Sequence, residues 1–210
     1  MRKITVANSF WNRIAGLYDF FELAYNKKVY VNTGKAVAEY IQKTDRVLEC
    51  ACGTGAISLW IAGACKTLVA TDYAANMLAK ARKKCSAFPN ARFEEADITK
   101  LKYDDQSFDK VVAGNVIHLL PEPQKAMAEL ERVTKPGGRM ILPTYVNKTK
   151  KSNKAAVKLL ELLGAHFQRQ FDPDSYKAFF AGLGYGNVSY QVVEGRMPCA
   201  IAIISKPEKA

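Results

Sequence analysis

A run of small residues around one carboxylate is the first feature of this sequence with the properties of a ligand site. The segment reads Val47-Leu48-Glu49-Cys50-Ala51-Cys52-Gly53-Thr54-Gly55 and lies between a short β-branched run and a helix-like stretch. Small residues let the backbone approach a ligand closely, as in nucleotide-binding folds. Glu49 would repel a pyrophosphate a few ångströms away by about 1–4 kcal/mol and would attract a cationic group. The loop therefore suits a nucleoside that carries positive charge and no phosphate.

The spacing of the small residues excludes two common phosphate-binding loops. Ala51, Gly53 and Gly55 occupy alternate positions, which does not fit G-x-G-x-x-G, and the sequence has no G-x-x-x-x-G-K-[ST]. S-adenosylmethionine has the required combination of adenosine, a sulfonium and an amino acid tail. An acidic turn without any ligand is the alternative interpretation of this loop taken alone.

Two more acids follow at the ends of later strand-like runs. Asp72 follows Glu49 at a distance in the chain that is close to the roughly 20-residue spacing typical of ribose-binding acids. Asp97 follows the predicted strand 91–95. Its carboxylate could accept from an adenine amino group, and the Ile98 N–H could donate to a ring nitrogen. Taken alone, each acid is more often a solvated loop residue than a ligand. Their order at successive strand ends of an open α/β sheet predicts a single nucleoside site.

The elements that would position these residues alternate along the chain. Helix-like stretches at 35–43, 56–64, 74–85 and 123–134 lie between β-branched runs at 46–48, 67–70, 91–95, 108–113 and 140–142. This alternation predicts an α/β fold with a parallel sheet and helices on both faces. The last of these helices is predicted to stop at Lys135-Pro136-Gly137-Gly138, where the glycines turn the chain.

The end of the chain shows a different pattern. Two helical patterns, near 152–163 and 173–182, precede two β-branched runs, Val188–Val193 and Cys199–Ser205. Gly195 and Pro198 separate these runs by a hairpin distance. We therefore expect an antiparallel pair that closes one edge of the sheet.

At these residues the chain resembles a class I S-adenosylmethionine-dependent methyltransferase, and it is similar to the branch that contains the ubiquinone/menaquinone biosynthesis methyltransferases. The resemblance covers about 45–144, through LECACGTG, ATDYAANML, EEADITKL and DKVVAGNVIHLLPEPQKAMAELERVTKPGGRMIL. It implies a Rossmann-like, mostly parallel seven-stranded sheet whose last strand is antiparallel, with helices on both faces and a small helical cap.

The resemblance also implies roles for individual residues in holding S-adenosylmethionine. Position by position, Glu49 would hold the amino group, Ala51, Cys52, Gly53 and Gly55 would line the tail, Asp72 would bind the ribose, Tyr73 and Met77 would pack on adenine, Asp97 and Ile98 would fix the adenine edge, and Asn115 and Val116 would contact the methionyl end. The family commonly has Gly at position 51, so Ala51 is a departure. Tyr18 belongs to a segment, 12–19, that resembles one covering the cofactor. An amphipathic helix packed on the core is the alternative interpretation of this segment.

Methyl transfer from a sulfonium is an in-line displacement in which the protein mainly aligns the reacting groups and excludes water. A general base is needed only if the acceptor must lose its proton early. His118, after the fourth strand, is the catalytic candidate, and a structural role is its alternative. No C-x-x-C or other Cys/His/Asp spacing predicts a metal site.

The chain divides into one methyltransferase domain with appended segments. We expect an N-terminal lid at 1–32, a cofactor-binding core at 33–144, a helical cap at 145–184 and a terminal β-hairpin at 185–210. The lid and the cap carry aromatic and basic residues. These residues predict a small-molecule acceptor that is anionic or aromatic. The protein is expected to be a monomer or a homodimer.

The net charge of +11 is concentrated outside the core, with seven basic and one acidic residues in 139–170. This excess could attract a small anion, nucleic acid or an anionic membrane surface, or could simply aid solubility. Because Asn115-Val116-Ile117-His118 stands where amino-directed nucleic-acid methyltransferases have N/D-P-P-[YF/W], a nucleic-acid acceptor is the less favoured alternative. A second alternative is that the protein is a non-catalytic module that binds the cofactor or a partner.

The composition of the sequence indicates the cellular compartment of the protein. No run approaches the roughly 18 apolar residues of a membrane span, and no apolar segment follows the basic N-terminal residues as in a signal peptide. Five scattered cysteines predict reduced thiols. We therefore expect a cytoplasmic protein, with peripheral membrane contact left open.

Overall fold

The computed structural model describes residues 2–147 and 168–208, with the backbone alone at 2–9 and 17–23. The described residues form a seven-stranded sheet. Its strands are β1 (Arg46–Cys50), β2 (Thr67–Asp72), β3 (Ala91–Glu95), β4 (Phe108–Ala113), β5 (Thr134–Tyr145), β6 (Val188–Val193) and β7 (Cys199–Ser205). The expected α/β class and strand number are thus confirmed.

The strand order is β3-β2-β1-β4-β5-β7-β6. The strands β1 to β5 pair in parallel, whereas β7 runs antiparallel to both β5 and β6. The hairpin expected at the sheet edge is therefore present. The chain order reverses between β1 and β4, and open α/β sheets bind ligands at such a switch point, outside the carboxyl ends of the strands.

Helices cover both faces of the sheet. They are α1 (Arg2–Ala38), α2 (Ser58–Ala64), α3 (Ala75–Lys84), α4 (Pro123–Val133) and α5 (Pro173–Gly182), with a short 3₁₀ turn at Ile117–Leu119. The apolar sides of α4 and α5 pack on one face of the sheet, and those of α1, α2 and α3 pack on the other. None of the helices in the described ranges has the length and hydropathy that a membrane crossing requires.

The first helix is longer than the sequence pattern predicts and it is bent. The pattern predicts a helix at 35–43, whereas α1 starts at Arg2 and ends at Ala38. Asn26 has non-helical angles (φ −142°, ψ 33°) and divides α1 in two. The Asn26 amide donates to the Met197 carbonyl at 2.7 Å, so the bend is tied to the β6–β7 hairpin. A buried side chain with a distant partner sets the bend, which local periodicity does not reveal.

The segment Lys135-Pro136-Gly137-Gly138 is not the turn that we expected between a helix and a strand. It lies inside β5, where the pairing with β4 jumps from Phe108↔Thr134 to Lys110↔Arg139. The glycines allow this bulge because Gly137 has φ +72° and a Cβ on Gly138 would lie 2.8 Å from the Asp109 carbonyl oxygen. The predicted helix at 152–163 and most of the basic segment lie outside the described residues.

Candidate active site

A cavity of about 880 Å³ lies at the carboxyl ends of β1, β2 and β4. Sites for small molecules fall in the same range, about 300–1,000 Å³. The structure brings most of the residues predicted from the sequence to its wall: Glu49, Ala51, Cys52, Gly53, Asp72, Tyr73, Met77, Asp97, Ile98, Asn115 and Val116. Residues separated by up to 67 positions therefore face one space, as their places at strand ends predict.

Three of the residues predicted for the site are not among the described residues of the cavity wall: Gly55, His118 and Tyr18. Gly55 is not part of the cavity wall; a Cβ there would lie 3.0 Å from the Ala81 Cα, so its smallness serves the packing of α3. His118 also lies outside the wall, and its carbonyl accepts from the Gln168 and Arg169 N–H groups. Burial and the nearby Arg169 charge lower the pKa of His118 to about 4, so the ring is neutral at pH 7. The side chain of Tyr18 is outside the described residues.

Glu49 is a buried carboxyl group in the wall of the cavity, with an exposed fraction of 1%. The Ser58 hydroxyl donates to its Oε2 at 2.5 Å. Burial raises the pKa of Glu49 to about 8; the Ser58 hydrogen bond opposes this, and the neighbouring Asp72 adds to it. A cation bound beside Glu49 would reverse this shift, so the group has the chemistry of a buried, titratable cation site.

Asp72 has a structural role that the sequence did not reveal. Its Oδ2 accepts from the Gly53 N–H and its Oδ1 from the Ala74 N–H, both at 2.8 Å. Burial raises the pKa of Asp72, although these backbone hydrogen bonds oppose the shift. The carboxylate thus joins the first loop to the start of α3. Because a carboxylate offers about four lone-pair sites, it retains acceptor capacity toward the cavity.

Like Asp72, Asp97 both makes local hydrogen bonds and lines the cavity. Its Oδ1 accepts from the Thr99 N–H at 2.8 Å and from the Thr99 hydroxyl at 2.7 Å. These bonds form a local turn that sets the orientation of the carboxylate after β3. Asp97 and Ile98 both line the cavity. The turn thereby fixes the Asp97 carboxylate in the same part of the wall as Ile98.

Two residues of the wall adopt left-handed backbone conformations without being glycine. Ala51 has φ 55° and Asn115 has φ 51°. Asn115 is held by long-range bonds: its N–H donates to the Pro143 carbonyl at 2.8 Å, and its Oδ1 accepts from the Tyr145 N–H at 3.0 Å. Asn is tolerated at such angles, whereas Ala there is strained by about 1–2 kcal/mol. The departure noted at position 51 therefore costs stability at the site.

We expect Ala51→Gly to stabilise the ligand-free protein by about 0.5–1 kcal/mol. Relief of the left-handed strain at φ 55° exceeds the extra chain entropy that glycine gains when unfolded. Denaturant unfolding measures the difference. Ala56→Gly, in the same loop region but without a positive φ, is the control and should destabilise; a loss of stability in Ala51→Gly as well would contradict the strain assigned to position 51.

The first half of α1 covers the cavity from above. Phe10 and Trp11 line it, and their rings meet edge to face with centroids 5.0 Å apart. Asn12 is bonded twice to Asn76 at the start of α3: its Oδ1 accepts from the Asn76 N–H at 2.9 Å, and its carbonyl accepts from the Asn76 amide at 3.0 Å. Ala15 packs with Met77 nearby. The N-terminal segment is therefore a roof that contacts the adenine side of the predicted site.

Comparison with known proteins identifies the class to which this fold and cavity belong. The family described as "Methyltransferase domain" matches residues 48–142. A demethylmenaquinone methyltransferase of Renibacterium salmoninarum is 31% identical, over 71% of this chain and 70% of that protein. The chain belongs to the class I S-adenosylmethionine-dependent methyltransferases.

Within this class the chain is similar to methyltransferases of different kinds. A demethylmenaquinone methyltransferase of Clavibacter sepedonicus is 38% identical over 53% of this chain, which spans only 45% of that relative. A solved methyltransferase of Thermotoga maritima, described as a possible histamine N-methyltransferase, superposes with a TM-score of 0.74 at 18% identity and covers 94% of this chain and 99% of that chain. The first likeness concerns sequence, whereas the second shows the fold alone.

Proposed function

We propose that this protein transfers a methyl group from S-adenosylmethionine to a small, apolar acceptor. The observation that carries the proposal is the arrangement of Glu49, Asp72 and Asp97 at successive strand ends around one cavity. The family to which the chain belongs supports both the cofactor and the reaction class.

The residues of the cavity fit the chemical groups of this cofactor. Glu49 suits a cationic group, Asp72 suits hydroxyl donors, and Asp97 with the Ile98 N–H suits the edge of an adenine. When bound, S-adenosylmethionine supplies an electrophilic methyl group on a sulfonium. The roles of these residues, and of Ala51, Cys52, Gly53, Tyr73, Met77, Asn115 and Val116 in the same wall, are part of the proposal.

The protein's own contribution is to align the acceptor and to exclude water. Phe10 and Trp11 close the cavity from above, and Asn115 holds the ends of β4 and β5 together. Orientation of this kind contributes up to about 7–11 kcal/mol in favourable cases. His118 does not face the cavity. The proposal therefore assigns no general base and treats the transfer as an in-line displacement.

The part of the wall beyond Asn115 indicates the character of the acceptor. Val116, Leu119 and Leu120 are apolar there, and Tyr145 adds an aromatic ring. In the described part of the wall Lys125 is the only cation, and Glu122 pairs with it at 2.8 Å. These walls favour an uncharged aromatic acceptor over an anion. The quinone-directed names of the sequence relatives make a demethylmenaquinol analogue the first compound to test.

The proposal is tested by binding and turnover together. Calorimetry should show binding of S-adenosylhomocysteine, and transfer of a labelled methyl group should be seen with reduced short-chain demethylmenaquinone or another uncharged aromatic acceptor. Absence of binding would overturn the assignment of the cofactor. Binding without transfer to any uncharged or anionic small molecule would instead identify a non-catalytic module.

We expect Leu119→Arg to separate the two halves of the cavity. A guanidinium in the apolar half would block an uncharged acceptor, so kcat/KM should fall at least about 100-fold through lost alignment, while S-adenosylhomocysteine affinity changes less than about threefold. Leu183→Arg, at a leucine already 36% exposed, is the matched control. Equal activity in the two variants would contradict the placement of the acceptor.

A further inference from the structure

The short 3₁₀ turn at Ile117–Leu119 supplies part of the apolar half of the cavity. Leu119 and the next residue, Leu120, line the cavity, while Ile117 is fully buried in the core. A single helical turn leaves most of its carbonyl groups without partners inside the turn. Within this one, the Ile117 carbonyl accepts from the Leu120 N–H at a long 3.4 Å. The position of this wall therefore depends on donors from outside the turn.

Those donors come from two residues that lie far along the chain. The Gln168 and Arg169 N–H groups both donate to the His118 carbonyl, at 3.1 and 3.2 Å. The Nη1 of the Arg169 guanidinium donates to the Leu120 carbonyl at 2.8 Å and to the Ile117 carbonyl at 3.4 Å. One arginine thus bonds to three carbonyl groups in and directly after the turn, with its backbone and its side chain together.

The guanidinium of Arg169 serves the turn and not an ion pair. Its side chain is half-buried, and among the described residues it pairs with no carboxylate. A planar guanidinium holds its N–H donors in a fixed geometry, whereas a lysine ammonium is a point charge on a flexible stem. The residue type therefore matches a role in which two carbonyl oxygens are held at once.

The segment that carries Arg169 is itself anchored to the core. The Phe171 carbonyl accepts from the Asn147 N–H at 2.8 Å, just after β5. The Phe171 ring is buried against Tyr176 and Phe179 of α5, with ring centroids 5.1 and 5.5 Å apart. Arg169 therefore connects the packed core to the turn that carries the apolar wall.

We propose that Arg169 is a positioning residue for the methyl acceptor, because it fixes the turn and so sets the placement of Leu119 and Leu120. This inference rests on the proposed function. The hydrogen bonds of Arg169 all reach the apolar half of the wall. The three acids proposed for the cofactor lie elsewhere, at or just beyond the ends of β1, β2 and β3. Loss of the guanidinium therefore weakens acceptor binding and spares cofactor binding.

The test measures both substrates in Arg169→Met, which removes the donors and keeps an unbranched side chain. Reduced short-chain demethylmenaquinone is the first acceptor, followed by other uncharged aromatic compounds. The KM of the acceptor that supports transfer should rise at least about tenfold while kcat changes less than about threefold, which indicates lost acceptor binding. The affinity for S-adenosylhomocysteine, measured by calorimetry, should stay within about threefold.

Two further variants test whether the effect belongs to the guanidinium. Arg169→Lys keeps the charge without the planar donors, so the KM of the acceptor should rise only about threefold. Arg139→Met, at an exposed arginine of β5 outside the cavity wall, is the matched control and should leave both substrates unaffected. A loss as large in Arg169→Lys as in Arg169→Met still supports the role, since it shows that the planar donors are required.

The contrary outcomes separate this inference from the proposed function. An unchanged acceptor KM in Arg169→Met, or equal losses for acceptor and S-adenosylhomocysteine, would overturn the positioning role and leave the proposed function standing. Thermal melting identifies a variant that does not fold. Arg169→Lys then decides, and an unchanged acceptor KM there would overturn the role. An unmodified chain that binds no S-adenosylhomocysteine, or transfers no methyl group to any small molecule, would instead overturn the proposed function and this inference with it.

Discussion

Glu49→Gln should stabilise the ligand-free protein at pH 8 and weaken its binding of S-adenosylhomocysteine at least tenfold. The folded protein holds the Glu49 proton up to a pKa of about 8, whereas an ordinary glutamate has a value near 4.5. A raised pKa contributes stability that is fully present below pH 4.5 and is lost as the pH rises through 8. Glutamine mimics the protonated acid at every pH, so it avoids this loss.

The size of the stability effect grows with pH. The difference in melting temperature should be near zero at pH 4.5 and reach about 10–20 °C at pH 8. Each unit of pKa difference is about 1.4 kcal/mol, and 1 kcal/mol shifts the melting temperature of a protein of this size by about 2–4 °C. Melting curves across this range measure it. Glu39→Gln, at an exposed glutamate, is the control and should show no such trend. A parallel shift at all pH values would contradict the buried proton.

The binding effect has the opposite sign. A cationic ligand group favours ionised Glu49, so binding should release a proton below pH 8 and affinity should rise with pH, by at most tenfold per unit. Calorimetry in two buffers of different ionisation enthalpy counts that proton. In Glu49→Gln the proton release and the pH dependence from pH 6 to 8 should both disappear. Unchanged proton release in the variant would assign the proton to another group.

Asp72→Ala should lower both stability and cofactor affinity, for separate reasons. The Gly53 and Ala74 N–H groups each lose an acceptor at 2.8 Å, which should cost about 1–3 kcal/mol of the free energy of unfolding. The ribose hydroxyls would lose the same carboxylate, so we expect the affinity for S-adenosylhomocysteine to fall at least tenfold.

A ligand without ribose hydroxyls separates the two roles of Asp72. Affinity for the 2′,3′-dideoxy analogue of S-adenosylhomocysteine should fall less than threefold in Asp72→Ala, because the ribose bonds are already missing. Asp104→Ala, at an exposed aspartate, is the control for both measurements. Equal losses for the two ligands would show that Asp72 acts only by holding the loop to α3.

The parallel sheet and most of the cavity wall could be predicted from the sequence because both depend on local patterns. Alternating β-branched runs and helical stretches identify the strands, and the acid at or just beyond the carboxyl end of each strand is identified from its position alone. Parallel strands bring their carboxyl ends to one edge, so Glu49, Asp72 and Asp97 had to meet there. Similarity to known methyltransferases supports the class of cofactor, whereas the identity of the acceptor remains part of the proposed function.

Residues whose roles depend on distant partners could not be assigned in the same way. The sequence gives no sign that Gly55 is small because of Ala81, that Asp72 holds two backbone N–H groups, or that His118 lies outside the cavity. The glycine bulge in β5 likewise depends on its pairing with β4.

The sequence by itself determined the order of strands and helices, the small residues of the first loop and the acids beside it, because each follows from the chemistry of neighbouring residues. Only the tertiary structure decided that Thr33 and Tyr30 of α1 line the cavity, and that Lys84 of α3 donates to the Tyr30 hydroxyl. The physical reason is that packing against Trp60 and the bond from Asn26 to Met197 set the position of α1, and both contacts join residues far apart in the chain.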